Sequence, residues 1–234
     1  MTTPLILHAH RGASHLAPEN TLAAFEHAIT ERADLIELDV RLTSDDVPIV
    51  FHDDDLVRMT GTAGRVADAT LAAINALRVG GQPIPLLADL IPFTITHRVP
   101  LNIELKPLAK PQVLVAACEP ILRELMTLTA VMVSSFDPRV LAMLHPRLPD
   151  LHLALIVENP KALAAIKLLP PVALHLRHDL IDAASLPSYR DVSSAIRAWT
   201  VDDAHEARRL LALGITDLIT NRPGPLRAEL ALES

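Results

Sequence analysis

The sequence predicts an α/β protein built as a single (β/α)8 TIM barrel, and two observations carry that expectation. Short runs of branched apolar residues alternate with longer helix-like runs from end to end, the pattern of a parallel sheet with right-handed crossovers. Eight short runs can be counted, and 234 residues is the usual size of one such barrel.

In chain order the strands are expected near 5–10 (LILHAH), 34–40 (DLIELDV), 100–106 (PLNIELK), 130–135 (AVMVSS), 151–157 (LHLALIV), 172–176 (VALHL), 195–201 (AIRAWTV) and 217–220 (DLIT). Helices are expected over 21–31, with Asn20 as N-cap, and over 112–125, 138–145, 160–168, 183–190, 204–213 and 225–231. Several open with Pro in the first turn, where a missing N–H leaves no bond unmade. The extended run 47–52 breaks the rhythm, because it follows the second strand too closely for a parallel crossover. It is expected as a hairpin-like excursion, continuing through the turn-rich 58–64 into helices at 71–78 and 86–96. Residues 46–98 would then form an excursion or lid within one domain spanning 1–234, since no internal repeat, low-complexity tract or linker divides the chain.

Composition narrows the function. A net charge of -7, 3% aromatic residues and no long basic block argue against a nucleic-acid surface and favour a small or amphiphilic substrate. The apolar runs fall well short of the roughly 18–20 residues that cross a bilayer, so no stable membrane insertion is expected. The N-terminus carries no visible signal or transit peptide, which makes the cytoplasm the default location. The one cysteine, Cys118, sits in an apolar helical run and reads as a buried structural thiol.

The chemistry gathers at strand ends, where a barrel of this class carries its active site. Glu37 and Asp39 lie two residues apart on one face of the second strand, and unpaired buried carboxylates cost several kcal/mol. Something positive is expected between them. On the third strand Asn102, Glu104 and Lys106 alternate with Leu101, Ile103 and Leu105, so Glu104 joins the acidic pair. Three carboxylates without clustered Cys make an oxygen site for one hard divalent ion, Mg2+ or Ca2+, with Mn2+ as a third option. His10 and His52 bracket the cluster as acid-base candidates, and Arg11 and Lys106 offer positive charge to an anion. The combination is that of metal-assisted phosphoryl chemistry.

Plainer readings stand beside these. Glu37 and Asp39 can pair with Arg41 or Arg11, Glu104 with Lys106, and Trp199 can serve as packing with its indole N–H bonded. His8 shares a strand face with His10, and His175 suits either core or substrate contact.

HRGAS at 10–14, PENTLAAF at 18–25, IELDV at 36–40, FHD at 51–53, NIELK at 102–106, SSFDP at 134–138, AWTVDD at 198–203 and GITDLITNRP at 214–223 resemble, in order, the motifs of the glycerophosphodiester phosphodiesterases. That resemblance covers nearly the whole chain. It implies a (β/α)8 barrel that hydrolyses glycerophosphodiesters, such as glycerophosphocholine or glycerophosphoethanolamine, to glycerol 3-phosphate and an alcohol. It further implies Glu37, Asp39 and Glu104 as metal ligands, His10 and His52 as the acid-base pair, Arg11 and Lys106 on the phosphate, and Trp199 lining the pocket. A lysophospholipase D or a phosphodiesterase for a different head group on the same site, and a non-catalytic phosphodiester-binding barrel, are the alternatives. Three positions depart from the family pattern: Arg32 and Asp46 stand where Gly is usual, and Asn221 where Asp is usual. The segment after His52 is short and apolar, ending in IPLLADLI, which bears on substrate preference.

Overall fold

The computed structural model describes residues 4–193 and 195–231, so both ends of the expected 1–234 span lie outside the described residues. The elements are β1 (Ile6–Ala9), α1 (Leu22–Thr30), β2 (Leu35–Leu42), β3 (Pro48–Val50), α2 (Val57–Thr60), α3 (Leu71–Asn75), α4 (Leu90–His97), β4 (Leu101–Leu105), α5 (Pro111–Leu128), β5 (Val131–Ser135), α6 (Pro138–Leu144), β6 (His152–Val157), β7 (Ala173–Arg177), α7 (Leu186–Arg190), β8 (Ile196–Trp199), α8 (Ala204–Ala212), β9 (Asp217–Thr220) and α9 (Pro223–Ala231).

Alternation along the strands builds the barrel. Leu7, Ile36, Leu38, Leu101, Ile103, Val133 and Leu155 belong to an apolar core that also takes Phe25 and Ala28 from α1 and Leu114, Cys118 and Leu122 from α5. The intervening residues His8, Glu37, Asp39, Asn102, Glu104, Ser134 and His175 are buried and polar. Strands with one face under helices and the other lined by polar groups close around the polar side. The parallel order is β1-β9-β8-β7-β6-β5-β4-β2, and pairing of β1 with β2 completes the eight-stranded ring of a (β/α)8 barrel. Low in the interior, His8 Nε2 lies 2.8 Å from Asp217 Oδ1, and Arg197 Nε lies 2.7 Å from Asp217 Oδ2. The Asp217 carboxylate thus stands between an imidazole and a guanidinium.

The helices follow from their stripes. In α5 the buried positions Leu114, Val115, Cys118, Leu122 and Leu125 recur every three to four residues, and Pro111 sits where its missing N–H is harmless. Burial pushes the Cys118 thiol up to about 12, as suits a structural cysteine. The crossover from β6 to β7 departs from expectation: Pro160–Leu168 is a 3-10 helix, not an α-helix, and buries no residue. Without a buried stripe, nothing in the packing selects the wider α-helical turn.

The end of α1 explains one unusual residue. Arg32 N–H donates to Ile29 O and Ala33 N–H to Ala28 O, the paired bonds of a Schellman motif, with Arg32 at φ 57°. Glycine is the ordinary occupant of that left-handed position. Asp46, at φ 59° in the turn between β2 and β3, occupies a second left-handed position, which Asp tolerates better than most residues.

The strand β3 runs antiparallel to β2, with Val40 opposite Val50, so the run after β2 is a hairpin as its brevity requires. The excursion it starts has a small core of its own: Ile49, Phe51, Leu56, Val66, Ile74, Val79 and Ile84.

Candidate active site at the barrel mouth

Parallel strands deliver their C-terminal ends to one rim, and the expected residues arrive there together. His10, Arg11, Glu37, His52, Glu104, Lys106 and Trp199 line one cleft. Asp39 is fully enclosed, and one oxygen from each of Glu37, Asp39 and Glu104 lies within 4.8 Å of the others. The register explains this: Asp39 pairs with Glu104 across β2 and β4, and Glu37 sits one inward position below.

Cations hold part of this charge. Lys106 Nζ lies 2.7 Å from Asp39 Oδ1 and 2.6 Å from Glu104 Oε1, and Arg11 Nε lies 3.3 Å from Asp39 Oδ2. The sequence alternative of a Glu104–Lys106 pair is thus present, widened to include Asp39. Arg41 points elsewhere, donating to His52 O at 2.6 Å and Asp54 at 2.7 Å. Burial alone would raise Asp39, but Lys106 and Arg11 hold it well below the usual carboxylate range. Burial and the neighbouring Asp39 and Glu104 carry Glu37 well above it, although Arg11 N–H donates to Glu37 Oε2 at 2.8 Å. Burial also brings Glu104 to about 7, against the pull of Lys106. The acids therefore outnumber the cations that reach them.

The two histidines have different partners. His52 Nδ1 lies 2.7 Å from Asp53 Oδ1, and Asp53 also accepts from Arg58 Nε at 2.5 Å. His10 Nδ1 lies 2.7 Å from the amide oxygen of Asn221. The protein wrapped round His10, with Arg11 beside it, lowers its pKa to about 4, and burial lowers that of His52.

Several residues of this neighbourhood escape the sequence reading. Asn20, expected as an N-cap, leaves that task to Thr21, whose hydroxyl accepts from Ala24 N–H at 3.2 Å. The Asn20 amide instead bonds Asp39. Arg58, from α2, donates to Glu19 at 2.7 and 3.0 Å, and Arg11 donates to the same Glu19 at 2.8 Å. A chain of ion pairs therefore links Arg11 to His52 through Glu19, Arg58 and Asp53. Glu19 and Asn20 lie in the PENT segment and Asp53 directly follows His52, which is the signal that marks them. Gly12, at φ 81°, has no room for a side chain, because a Cβ would come within 2.7 Å of the Ala24 backbone. The loop after His10 can therefore lie against α1.

The remaining wall is partly apolar. Phe136 meets Trp199 edge to face with ring centroids 5.8 Å apart, and the Trp199 indole donates to His175 O at 2.9 Å. His175 is buried in the floor, and desolvation, with Arg197 and His8 nearby, takes its pKa well below the usual value.

A barrel whose rim sets clustered acids between imidazoles and guanidinium or ammonium groups has the equipment of a phosphoric ester hydrolase. Comparison with known proteins narrows that class. Residues 10–225 match the Glycerophosphoryl diester phosphodiesterase family, and the chain belongs to it, and with it to the phosphoric diester hydrolases. A glycerophosphodiester phosphodiesterase of Bacillus altitudinis is 30% identical over 92% of this chain and 94% of its own length. Another, from Caldanaerobacter subterraneus subsp. tengcongensis, is 30% identical over 93% of this chain and 94% of its own. Among solved structures, an Oleispira antarctica phosphodiesterase in complex with the product sn-glycerol-3-phosphate superposes with a TM-score of 0.88 at 25% identity. That alignment covers 97% of this chain and 96% of that one. Among the described residues no helix is long and apolar enough to cross a membrane.

Proposed function

We propose that the chain hydrolyses glycerophosphodiesters, such as glycerophosphocholine or glycerophosphoethanolamine, to glycerol 3-phosphate and an alcohol, with one divalent ion held by Glu37, Asp39 and Glu104. The observation that carries this reading is the shared cleft: the buried acids stand within 4.8 Å of one another beside His10 and His52. The donor set fits a hard cation, being all carboxylate oxygen. Glu37, well above its ordinary pKa, marks negative charge that the local cations leave uncompensated. When bound, such an ion supplies Lewis-acid polarisation of the phosphoryl oxygens.

The chain's own groups do the rest. Arg11 and Lys106 draw the phosphodiester anion into the cleft and oppose charge growing on its oxygens. His10, backed by a neutral amide, takes the proton from the attacking oxygen of water or of a substrate hydroxyl. His52, backed by the Asp53 carboxylate, is the better holder of positive charge and gives a proton to the departing alkoxide as the phosphorus–oxygen bond breaks. Trp199 and Phe136 present an apolar wall to the glycerol or the leaving group.

The test is a panel of deacylated and monoacyl glycerophosphodiesters assayed with Mg2+, Ca2+ and Mn2+, reading free glycerol 3-phosphate. Turnover of deacylated substrates that EDTA abolishes is the expected result. Full activity in EDTA sinks the metal assignment, and faster turnover of monoacyl substrates replaces the substrate assignment with that of a lysophospholipase D.

A further inference from the structure

Behind His10 stands an amide whose orientation the structure determines. The Asp202 carboxylate receives three donors: the Thr220 hydroxyl at 2.9 Å, the Asn221 backbone N–H at 2.8 Å and the Asn221 side-chain amide at 2.5 Å. A carboxylate offers only acceptors, so the amide nitrogen of Asn221 must face it. The amide oxygen then faces the other way, toward His10 Nδ1 at 2.7 Å and the Ser14 hydroxyl, which donates at 2.9 Å. An amide oxygen has no hydrogen to give. His10 Nδ1 must therefore carry the proton, which leaves the Nε2 lone pair as the ring's reactive atom at the cleft that His10 lines.

We propose that Asp202 and Asn221 are positioning residues that fix His10 in its Nδ1–H tautomer, with the negative charge held one amide away from the imidazole. In the family pattern an Asp at 221 would set that charge directly on the ring. This chain keeps the same acceptor at Nδ1 but displaces the carboxylate to residue 202. The reversed arrangement, amide at 202 and carboxylate at 221, satisfies the same two contacts, so the pair is exchangeable as a unit and not singly. The Asn221→Asp change alone sets two carboxylates against each other, and Asp202→Asn alone frees the amide to flip and offer its N–H to a ring nitrogen that already bears one. The proposal rests on the reading that His10 acts in the reaction.

The experiment has two parts. Nitrogen-15 NMR of the unmodified, metal-free chain at neutral pH should find His10 protonated at Nδ1 and bare at Nε2, and a dominant Nε2–H tautomer overturns the proposal. In kinetics, Asn221→Asp and Asp202→Asn should each lower kcat about ten- to a hundredfold with KM changed by less than about threefold. The double variant Asp202→Asn/Asn221→Asp should recover most of the loss; a double variant no better than the worse single overturns the positioning role. Full turnover in His10→Ala would overturn the reading beneath the proposal, and the proposal with it. A wrong tautomer or a failed exchange overturns the proposal alone.

Discussion

Asn20 holds Asp39 at two points: its amide nitrogen donates to Asp39 Oδ2 at 2.8 Å, and its amide oxygen accepts from the Asp39 backbone N–H at 3.1 Å. Both residues are buried, and Asn20 reaches this position from a left-handed backbone at φ 58°. Asparagine is among the side-chained residues that tolerate that conformation, and only an amide satisfies both contacts. Asn20→Asp replaces the donor with a fourth acid beside the cluster. It should lower turnover at least about tenfold and destabilise the fold by about 1–3 kcal/mol, as an unmatched buried polar group does. Urea midpoints and initial rates check this, and wild-type values for both would dismiss the clamp.

Glu37→Gln should separate function from stability. The substitution removes a buried like charge that raises the metal-free site's energy, while keeping an oxygen to accept from Arg11 N–H. Turnover should fall at least about a hundredfold. The melting temperature in EDTA near pH 8 should stay level or rise. A marked fall in melting temperature would show Glu37 to be structural.

Without an ion, the acids should also give the fold a distinct pH dependence. Burial raises Glu104 from 4.5 to about 7, so the folded chain keeps a proton that the unfolded chain has released. At Glu104 the native state binds more protons across that interval, so this group's share of stability is lost as pH rises through it. His10, His52 and His175, held below 6.5, act in the opposite sense up to that pH and leave the fall to show above it. Ion binding requires the ionised carboxylates, so ion affinity should climb over the same window and uptake should release protons to the buffer. Melting curves from pH 4 to 8, with EDTA and with Mg2+, test both. An EDTA series with no fall between pH 6.5 and 8 would contradict the raised carboxylates.

Much of this was legible in the residues. The barrel follows from alternation in β2 and β4, and the acidic cluster from Glu37, Asp39 and Glu104 occupying inward positions of paired strands. What escaped is what chain proximity misrepresents. Asn20 precedes a helix and so reads as its cap, although its partner lies 19 residues onward. Asn221 lies 211 residues from His10, and nothing local announces that it completes an imidazole. The segment 160–168 carries helix-forming residues but buries none, so composition pointed to a helix that packing does not select.

Arg32→Gly should stabilise the protein by about 0.5 kcal/mol. An L-residue in the left-handed region costs about 1–2 kcal/mol, offset in part by the greater freedom glycine has when unfolded. Arg32 is exposed, and its hydrogen bonds are backbone ones that glycine keeps: its N–H donates to Ile29 O at 3.0 Å and its oxygen accepts from Arg227 at 3.2 Å. Guanidinium denaturation checks the shift, and a lower midpoint would mean that the arginine side chain contributes to the fold.

The small apolar core under the excursion gives that region packing of its own, separate from the barrel core, as a locally opening unit has. It carries Phe51 and Leu56 on either side of His52 and Asp53, whereas the three acids belong to strands of the main ring. Heating should therefore open the smaller unit first and withdraw one imidazole while the ring remains closed. Thermal inactivation should then precede thermal unfolding of the ring, and coincident activity and unfolding curves would contradict it.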